Sequence, residues 1–192
     1  MAEVGPTGLT ELPPVLEDKK RHKRSRWLIE AVIIVAAAFV LALLIQQFIV
    51  KPFTIPSPSM APTLELGDRV LVNRLSYNFR APKPGDIIVF RPPNTESADP
   101  FIKRVVAVAG DTVSVHDGKL WVNGVAREEP YIREYPIVGN FAEVSVDADC
   151  VWVMGDNRND SSDSRVFGEV PEKNIVGVAF AIYWPPSHLG GL

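Results

Sequence analysis

A long apolar run near the N-terminus is the feature that most constrains this chain. Residues 27–50 contain only three polar side chains, Glu30, Gln46 and Gln47. As an α-helix this run is about 36 Å long, enough to cross a hydrocarbon core of about 30 Å. A buried core helix would show a polar face, and a cleaved signal peptide would have a shorter apolar region before a small-x-small site. The run therefore predicts a retained transmembrane helix over residues 27–50.

The charges on either side of the apolar run predict its orientation. Residues 19–26 carry six Lys or Arg side chains and no acid, whereas only Lys51 follows the run closely. Because basic residues stay on the cytoplasmic side of a membrane, the N-terminus is expected inside. Residues 1–26 are then a cytoplasmic tail, disordered over residues 1–18 and basic over residues 19–26. Residues 51–192 form a domain on the extracytoplasmic side of the cytoplasmic membrane.

Composition argues against several functional classes. The net charge is −3, so the chain lacks the basic balance of a nucleic-acid-binding protein. The single Cys150 excludes a disulfide within one chain, and no His-Glu-x-x-His pair or glycine-rich nucleotide loop occurs. We therefore predict no metal, no cofactor and no nucleic-acid partner.

Short β-branched runs dominate the chain after residue 50. They occur at residues 70–72, 87–90, 105–108 and 175–180, mostly bounded by Gly, Pro, Asn or Asp. Residues 112–122 read as two strands joined by the two-residue turn Asp117-Gly118, which is typical of a β-hairpin. The fold class predicted is mostly β: an antiparallel sheet or barrel-like domain preceded by one transmembrane helix.

Three segments of this domain contain residues suited to catalysis. Residues 55–64 alternate Pro and Ser with apolar residues, although a Pro/Ser-rich segment after a membrane span is more simply a stalk. Lys103 lies in an apolar strand, where a lysine is usually an edge or solvent-facing residue. Residues 154–165 are rich in Asp, Asn, Ser and Arg, a composition typical of a turn. Each signal is weak when taken alone.

Together the three segments suggest a hydrolase with a serine nucleophile and a lysine base. No histidine is well placed for a Ser-His-Asp triad: His22 precedes the span, His116 is beside a hairpin tip and His188 is near the end of the chain. Ser-Lys pairs are a known variant of the triad. A lysine among apolar neighbours can be neutral near physiological pH, because burial disfavours its charged form.

The sequence resembles the bacterial type I signal peptidases, membrane-anchored Ser-Lys proteases, from residue 27 to Trp184. The matching blocks occur in the same order as in that family, at residues 56–64, 67–73, 85–90, 102–111 and 155–165. The resemblance implies a mostly antiparallel β fold, which agrees with the strand pattern. Asn159-Asp160 reverses the order usual in the family, and we assign it no role.

The resemblance also implies roles for individual residues. Ser59 matches the nucleophile and Lys103 the general base, and the Ser57 hydroxyl and the Ser59 N–H match the oxyanion hole. Ser161 is expected to hydrogen-bond and orient Lys103, and Asp163 and Arg165 to form a supporting ion pair. The residues that correspond to the substrate pocket are Phe53, Ile55, Met60, Leu64, Val89, Phe101 and Ile102.

The function implied is removal of signal peptides from exported preproteins after an Ala-x-Ala motif, with signal peptides and membrane lipid as partners. Two alternatives stay open. The domain could be a membrane-tethered binding module without enzymatic activity, in which case Ser59 and Lys103 would lie far apart. It could also be a Ser-Lys peptidase that acts on another substrate.

Overall fold

The computed structural model of the protein describes residues 18–93, 99–133 and 136–192. Helix α1 spans Asp18–Phe48, and its segment Arg26–Leu43 is long and apolar enough to cross a membrane, with none of that segment buried. Its apolar side chains, such as Val32 and Val35, are about two-thirds exposed, as expected for a helix whose partner is lipid. This is the single N-terminal apolar helix that the sequence predicts.

The bounds of helix α1 differ from the predicted ones at both ends. The helix begins at Asp18 and not at residue 27, because Lys and Arg are good helix formers and continue it through the basic segment. The basic residues 19–26 thus lie within the helix, and residues 1–17 of the predicted disordered tail lie outside the described residues. At the other end Val50 already belongs to a strand.

Residues 45–192 form a second unit built mostly from antiparallel strands. The strands in the described part of the chain are β1 (Val50–Thr54), β2 (Arg69–Asn73), β3 (Ile87–Phe90), β4 (Phe101–Val108), β5 (Thr112–His116), β6 (Lys119–Val122), β7 (Val125–Ala126), β8 (Phe141–Ser145), β9 (Cys150–Met154), β10 (Val170–Pro171), β11 (Ile175–Trp184) and β12 (Gly190–Gly191). A short helix, α2, spans Ser164–Phe167.

These strands make two sheets. The larger has the order β1-β2-β11-β3-β4-β9-β10, with β12 paired to β11, and the smaller has the order β7-β6-β5-β8. Strand β4 lies between β3 and β9, so it is an interior strand of the larger sheet. The mostly β fold class is confirmed, and each β-branched run predicted as a strand lies within one.

The hairpin predicted over residues 112–122 is also present. Strands β5 and β6 pair with Val115 opposite Leu120, and Asp117 and Gly118 have φ values of 54° and 70° at the turn. Positive φ at both central residues is what a two-residue hairpin turn of this type requires. Strands β1 and β8 are not predicted. Strand β1 begins at Val50, the last residue of the assumed membrane span, and no side chain of β8 is buried, so its sequence lacks a regular apolar alternation.

The chain from Ile55 to Leu64 is packed into the domain and is not a stalk. Ile55, Met60 and Leu64 belong to one hydrophobic cluster with residues of strands β2, β3 and β4, and all three are at most 2% exposed. Burying side chains of this size stabilises a segment by about 1.5–3 kcal/mol each. The apolar residues between the prolines and serines therefore fix this segment against the sheet.

Candidate active site

Ser59 lies on a short, rigid turn next to strand β4. The turn is a single 3₁₀ turn, Pro58–Met60, and its last residue Met60 and the following Ala61 are completely buried. Two hydrogen bonds from Asn157 hold its backbone: the Asn157 N–H donates to the Ser59 carbonyl at 3.1 Å, and Asn157 Nδ2 donates to the Pro58 carbonyl at 3.3 Å. The Ser59 hydroxyl is thus presented from a backbone with little freedom.

Lys103 extends from strand β4 to this hydroxyl. Its Nζ donates to Ser59 Oγ at 2.7 Å and to the Ile102 carbonyl at 3.0 Å, and the residue is 4% exposed. The ring of Phe101 covers the amine at 5.6 Å from the ring centroid. The usual interpretation of a strand lysine, an edge or solvent-facing residue, is therefore wrong here, because β4 is an interior strand.

Burial lowers the pKa of Lys103 to about 8 from its ordinary value of 10.5. Desolvation is the dominant cause, since the charged ammonium loses its hydration in this site. The carboxylates of Asp163 and Asp156 oppose the shift by stabilising the ammonium. With a pKa near 8, about a tenth of Lys103 is the free base at pH 7, so an amine able to accept a proton lies against a serine hydroxyl.

The groups expected to bind an oxyanion lie beside the same hydroxyl. Ser57 Oγ is 3.2 Å from Ser59 Oγ. The N–H of Ser59 is in the first turn of a helical segment, where backbone donors have no acceptor within the helix. The structure therefore brings Ser57, Ser59 and Lys103 into one cluster.

The residues expected to support Lys103 come from the loop after strand β9. Arg165 and Asp163 form the ion pair with two bonds of 2.8 Å, and the second oxygen of Asp163 accepts the Gly155 N–H at 3.0 Å. The expected hydrogen bond between Ser161 and Lys103 is not made, which corrects that prediction. Ser161 Oγ is buried without a partner among the described residues, and the hydrogen bonds of Lys103 Nζ there go to Ser59 Oγ and the Ile102 carbonyl.

Six of the seven predicted pocket residues lie together. Ile55, Met60, Leu64, Val89 and Ile102 belong to one buried cluster, and Phe53 packs against it. Phe101 lies instead in a separate cluster, with ring centroids 6.3 Å from Phe90 and 6.1 Å from Phe167. Successive residues of a strand point to opposite faces, so Phe101 and Ile102 do not line the same surface.

Two buried ion pairs behind the site are absent from the sequence predictions. Arg104 donates to both carboxylate oxygens of Asp156, at 2.8 and 2.6 Å, and Arg158 forms an ion pair with Glu129. All four residues are at most 9% exposed. The sequence offers one signal for them: Arg104 is a second charged residue in an interior apolar strand, and such a residue needs a buried partner.

Comparisons with known proteins place this chain in a family. The family model described as "Signal peptidase, peptidase S26" matches residues 27–184. The "Probable signal peptidase I-1" of Synechocystis sp. is 45% identical over 169 residues, which are 85% of this chain and 86% of that protein. The "Thylakoidal processing peptidase 1, chloroplastic" of Arabidopsis thaliana is 43% identical over 159 residues, 78% of this chain and 46% of the plant protein.

A solved structure gives a weaker likeness. The crystal structure of a signal peptidase I from Enterococcus faecalis V583 has a TM-score of 0.45 and 29% sequence identity, and it covers 52% of this chain and 97% of its own. The family match over residues 27–184 defines the class of protein, a serine endopeptidase. The chain belongs to the signal peptidase family, peptidase S26, whose members remove signal peptides from preproteins.

Proposed function

We propose that this protein cleaves signal peptides from exported preproteins after a small-x-small motif, with Ser59 as the nucleophile and Lys103 as the general base. The observation that supports this most strongly is the 2.7 Å contact between Lys103 Nζ and Ser59 Oγ inside the domain. A non-enzymatic binding module gives no reason for a buried amine to contact a serine hydroxyl. Burial of an unpaired lysine costs stability, so a site that retains one is a candidate for catalysis.

The proposed reaction begins with proton transfer. Neutral Lys103 accepts the Ser59 proton as Oγ attacks the scissile carbonyl, and the tetrahedral oxyanion is held by the Ser57 hydroxyl and the Ser59 N–H. The Lys103 ammonium then donates its proton to the leaving amine, and the C–N bond breaks to give an acyl-enzyme on Ser59. Lys103 then removes a proton from a water molecule, whose oxygen attacks the ester carbonyl. The bond to Ser59 Oγ breaks to release the carboxylic acid product, and the Lys103 ammonium returns the proton to Ser59 Oγ, which restores both side chains.

The proposed topology follows from the basic segment of helix α1. Six Lys or Arg residues in 19–26 would keep the N-terminus in the cytoplasm, so the β domain would face the extracytoplasmic side. Ser59 is nine residues beyond Val50, which limits its distance from that residue to about 32 Å. The nucleophile would then be tethered near the membrane surface where an exported preprotein presents its cleavage site.

The choice of substrate is tested by cleavage of a purified preprotein with an Ala-x-Ala site by the full chain in detergent. The expected product begins at the residue after the second Ala, as read by mass spectrometry. Precursors with Phe at either Ala position should resist cleavage if the proposed small-x-small preference holds. A wild-type enzyme that cuts elsewhere, or cuts the Phe precursors equally, would instead favour a Ser-Lys peptidase with another substrate.

The pH dependence of cleavage tests the role of Lys103. Only its neutral form accepts the Ser59 proton, so kcat should rise about tenfold per pH unit in acid and level off above the Lys103 pKa of about 8. The measurement is kcat at saturating preprotein between pH 5.5 and 9.5. A flat profile across the neutral range would contradict a lysine base, and a falling one would indicate that a protonated group is needed.

A further inference from the structure

Residues 127–133, which we call the connector, join the smaller sheet to the loop beside Ser59. At one end the Arg127 N–H donates to the Leu120 carbonyl of strand β6 at 2.8 Å. At the other end the Arg133 N–H reaches the Asp156 carbonyl at 3.4 Å. No sequence motif marks this segment, and none of the roles assigned above falls on it.

Glu129 is the connector residue that enters the interior. It is 3% exposed, and its carboxylate binds both Nη atoms of Arg158, with the Nη2–Oε1 distance at 2.6 Å. Tyr131 donates its hydroxyl to the same carboxylate at 2.8 Å. The neighbouring Glu128 is exposed, so of these two adjacent glutamates only Glu129 is buried.

Arg158 in turn fixes the loop that holds the nucleophile. Its Nε donates to the Gly155 carbonyl at 2.9 Å, which closes the turn 155–158 on itself. The same turn supplies the Asn157 N–H that binds the Ser59 carbonyl, and Gly155 packs so closely that a Cβ there would be 2.4 Å from that carbonyl oxygen. The path from Glu129 to the backbone of Ser59 therefore consists of one ion pair and two hydrogen bonds.

The connector also contacts the second buried ion pair. The Tyr131 ring stacks on the Arg104 guanidinium at 4.0 Å from the ring centroid, and Arg104 holds Asp156 of the same turn. A planar guanidinium stacked on a ring and bound to a carboxylate has little orientational freedom. Two connector side chains thus restrain both arginines that hold residues 155–158.

We infer that Glu129 is a positioning residue for cleavage: through Arg158 it holds residues 155–158 against Ser59, and this inference rests on the proposed function. Buried ion pairs contribute little to stability compared with apolar residues of similar volume, so stability alone does not account for this one. Their geometry is specific, however, and a displacement of about 1 Å at a reacting group can cost about a hundredfold in rate. The contribution of Glu129 is therefore expected in kcat.

The test compares Glu129→Asp with the matched control Glu128→Asp in the full chain, using the Ala-x-Ala preprotein. The shorter aspartate keeps the charge but does not reach both Nη atoms and the Tyr131 hydroxyl together. We expect kcat per folded molecule to fall at least about tenfold, with KM within about twofold and the apparent pKa of the pH profile unchanged. Glu128→Asp, on the exposed side chain, should match the wild type.

A second variant separates positioning from folding. Glu129→Met combined with Arg158→Met removes both charges, so the buried pair is replaced by apolar side chains and thermal stability should stay close to that of the wild type. The hydrogen bond from Arg158 to the Gly155 carbonyl is still lost, so kcat should stay at least about tenfold below the wild-type value. A structural role alone would instead restore kcat together with stability.

The outcomes distinguish this inference from the proposed function. If the wild type does not cleave the preprotein, the proposed function fails first. If the wild type cleaves and folded Glu129→Asp or the folded double variant has wild-type kcat, Glu129 has no positioning role and the inference is wrong. A loss of kcat equal to that in Glu128→Asp would also overturn it, since the effect would then not depend on the buried carboxylate.

Discussion

Replacing Ser59 by Ala or Lys103 by Met should reduce kcat for preprotein cleavage by at least about a thousandfold. The first change removes the attacking oxygen, and the second removes the amine that accepts its proton at 2.7 Å. Groups that act as a unit in one proton transfer are not additive, so the double variant should be no slower than the slower single variant. The measurement is kcat under single-turnover conditions in detergent, with product identified by mass spectrometry.

Exposed residues of the same types provide the controls. Ser162 lies in the loop after strand β9, and Lys119 is the first residue of strand β6. The side chains of Ser162 and Lys119 are exposed. Ser162→Ala and Lys119→Met should retain wild-type kcat. Substantial cleavage by folded Ser59→Ala would exclude Ser59 as the nucleophile, and equal losses in the control variants would show that the assay reports general damage.

Lys103→Met should be inactive without being less stable. The folded-state pKa of Lys103, about 8, is below its unfolded value of 10.5, so the unfolded chain binds more protons between these values. Wild-type stability therefore rises with pH through this window, and below about pH 8 the protein carries the full cost of the buried ammonium. At pH 7 the thermal midpoint of Lys103→Met should be at least that of the wild type, and its advantage should shrink as the pH approaches 10.5.

The β fold could be predicted because its signals are local. Strands such as β3 and β5 are short β-branched runs bounded by Gly or Asp, and the turn Asp117-Gly118 fixes its hairpin without help from distant residues. Helix α1 could likewise be predicted from apolar length alone. Its start could not, because the basic residues before it suit either a disordered tail or a helix, and the charge pattern does not distinguish the two.

The site itself depends on contacts between distant segments. Ser59 and Lys103 are 44 residues apart, and Arg104 and Asp156 are 52 apart, so neither contact follows from a local pattern. The resemblance to a known family selects Ser59 and Lys103 as candidates because they stand in motif blocks. It misses Glu129, which stands in none and becomes important only because the fold buries it beside Arg158. It also overstates Ser161, whose expected bond depends on a side-chain orientation that the sequence does not determine.

Gly155→Ala is expected to reduce kcat at least about a hundredfold. A Cβ at this position would lie 2.4 Å from the Ser59 carbonyl oxygen and 2.3 Å from Ser161 Oγ. The Ser161 hydroxyl can rotate away, but Ser161 Cβ, at 2.7 Å from the added methyl group, moves only with its backbone. The Ser59 carbonyl also belongs to the backbone, and the Asn157 N–H holds it in place. The extra methyl group must therefore displace either Ser59 or the loop. The measurement is kcat for the preprotein, with KM determined in parallel.

The matched control is Gly190→Ala in strand β12. An added Cβ there would have its nearest neighbour, the His188 carbonyl oxygen, at 3.9 Å, which is an ordinary contact, and the residue is exposed. Gly190→Ala should therefore keep wild-type kcat. Gly155→Ala should in addition lose about 1–3 kcal/mol of folding stability, because the added methyl group overpacks the site. If Gly155→Ala stays folded with wild-type kcat, the loop can move away from the Ser59 backbone without slowing the reaction. The rigid presentation of Ser59 would then not be what sets the rate, and the positioning role inferred for Glu129 would lose its physical basis as well.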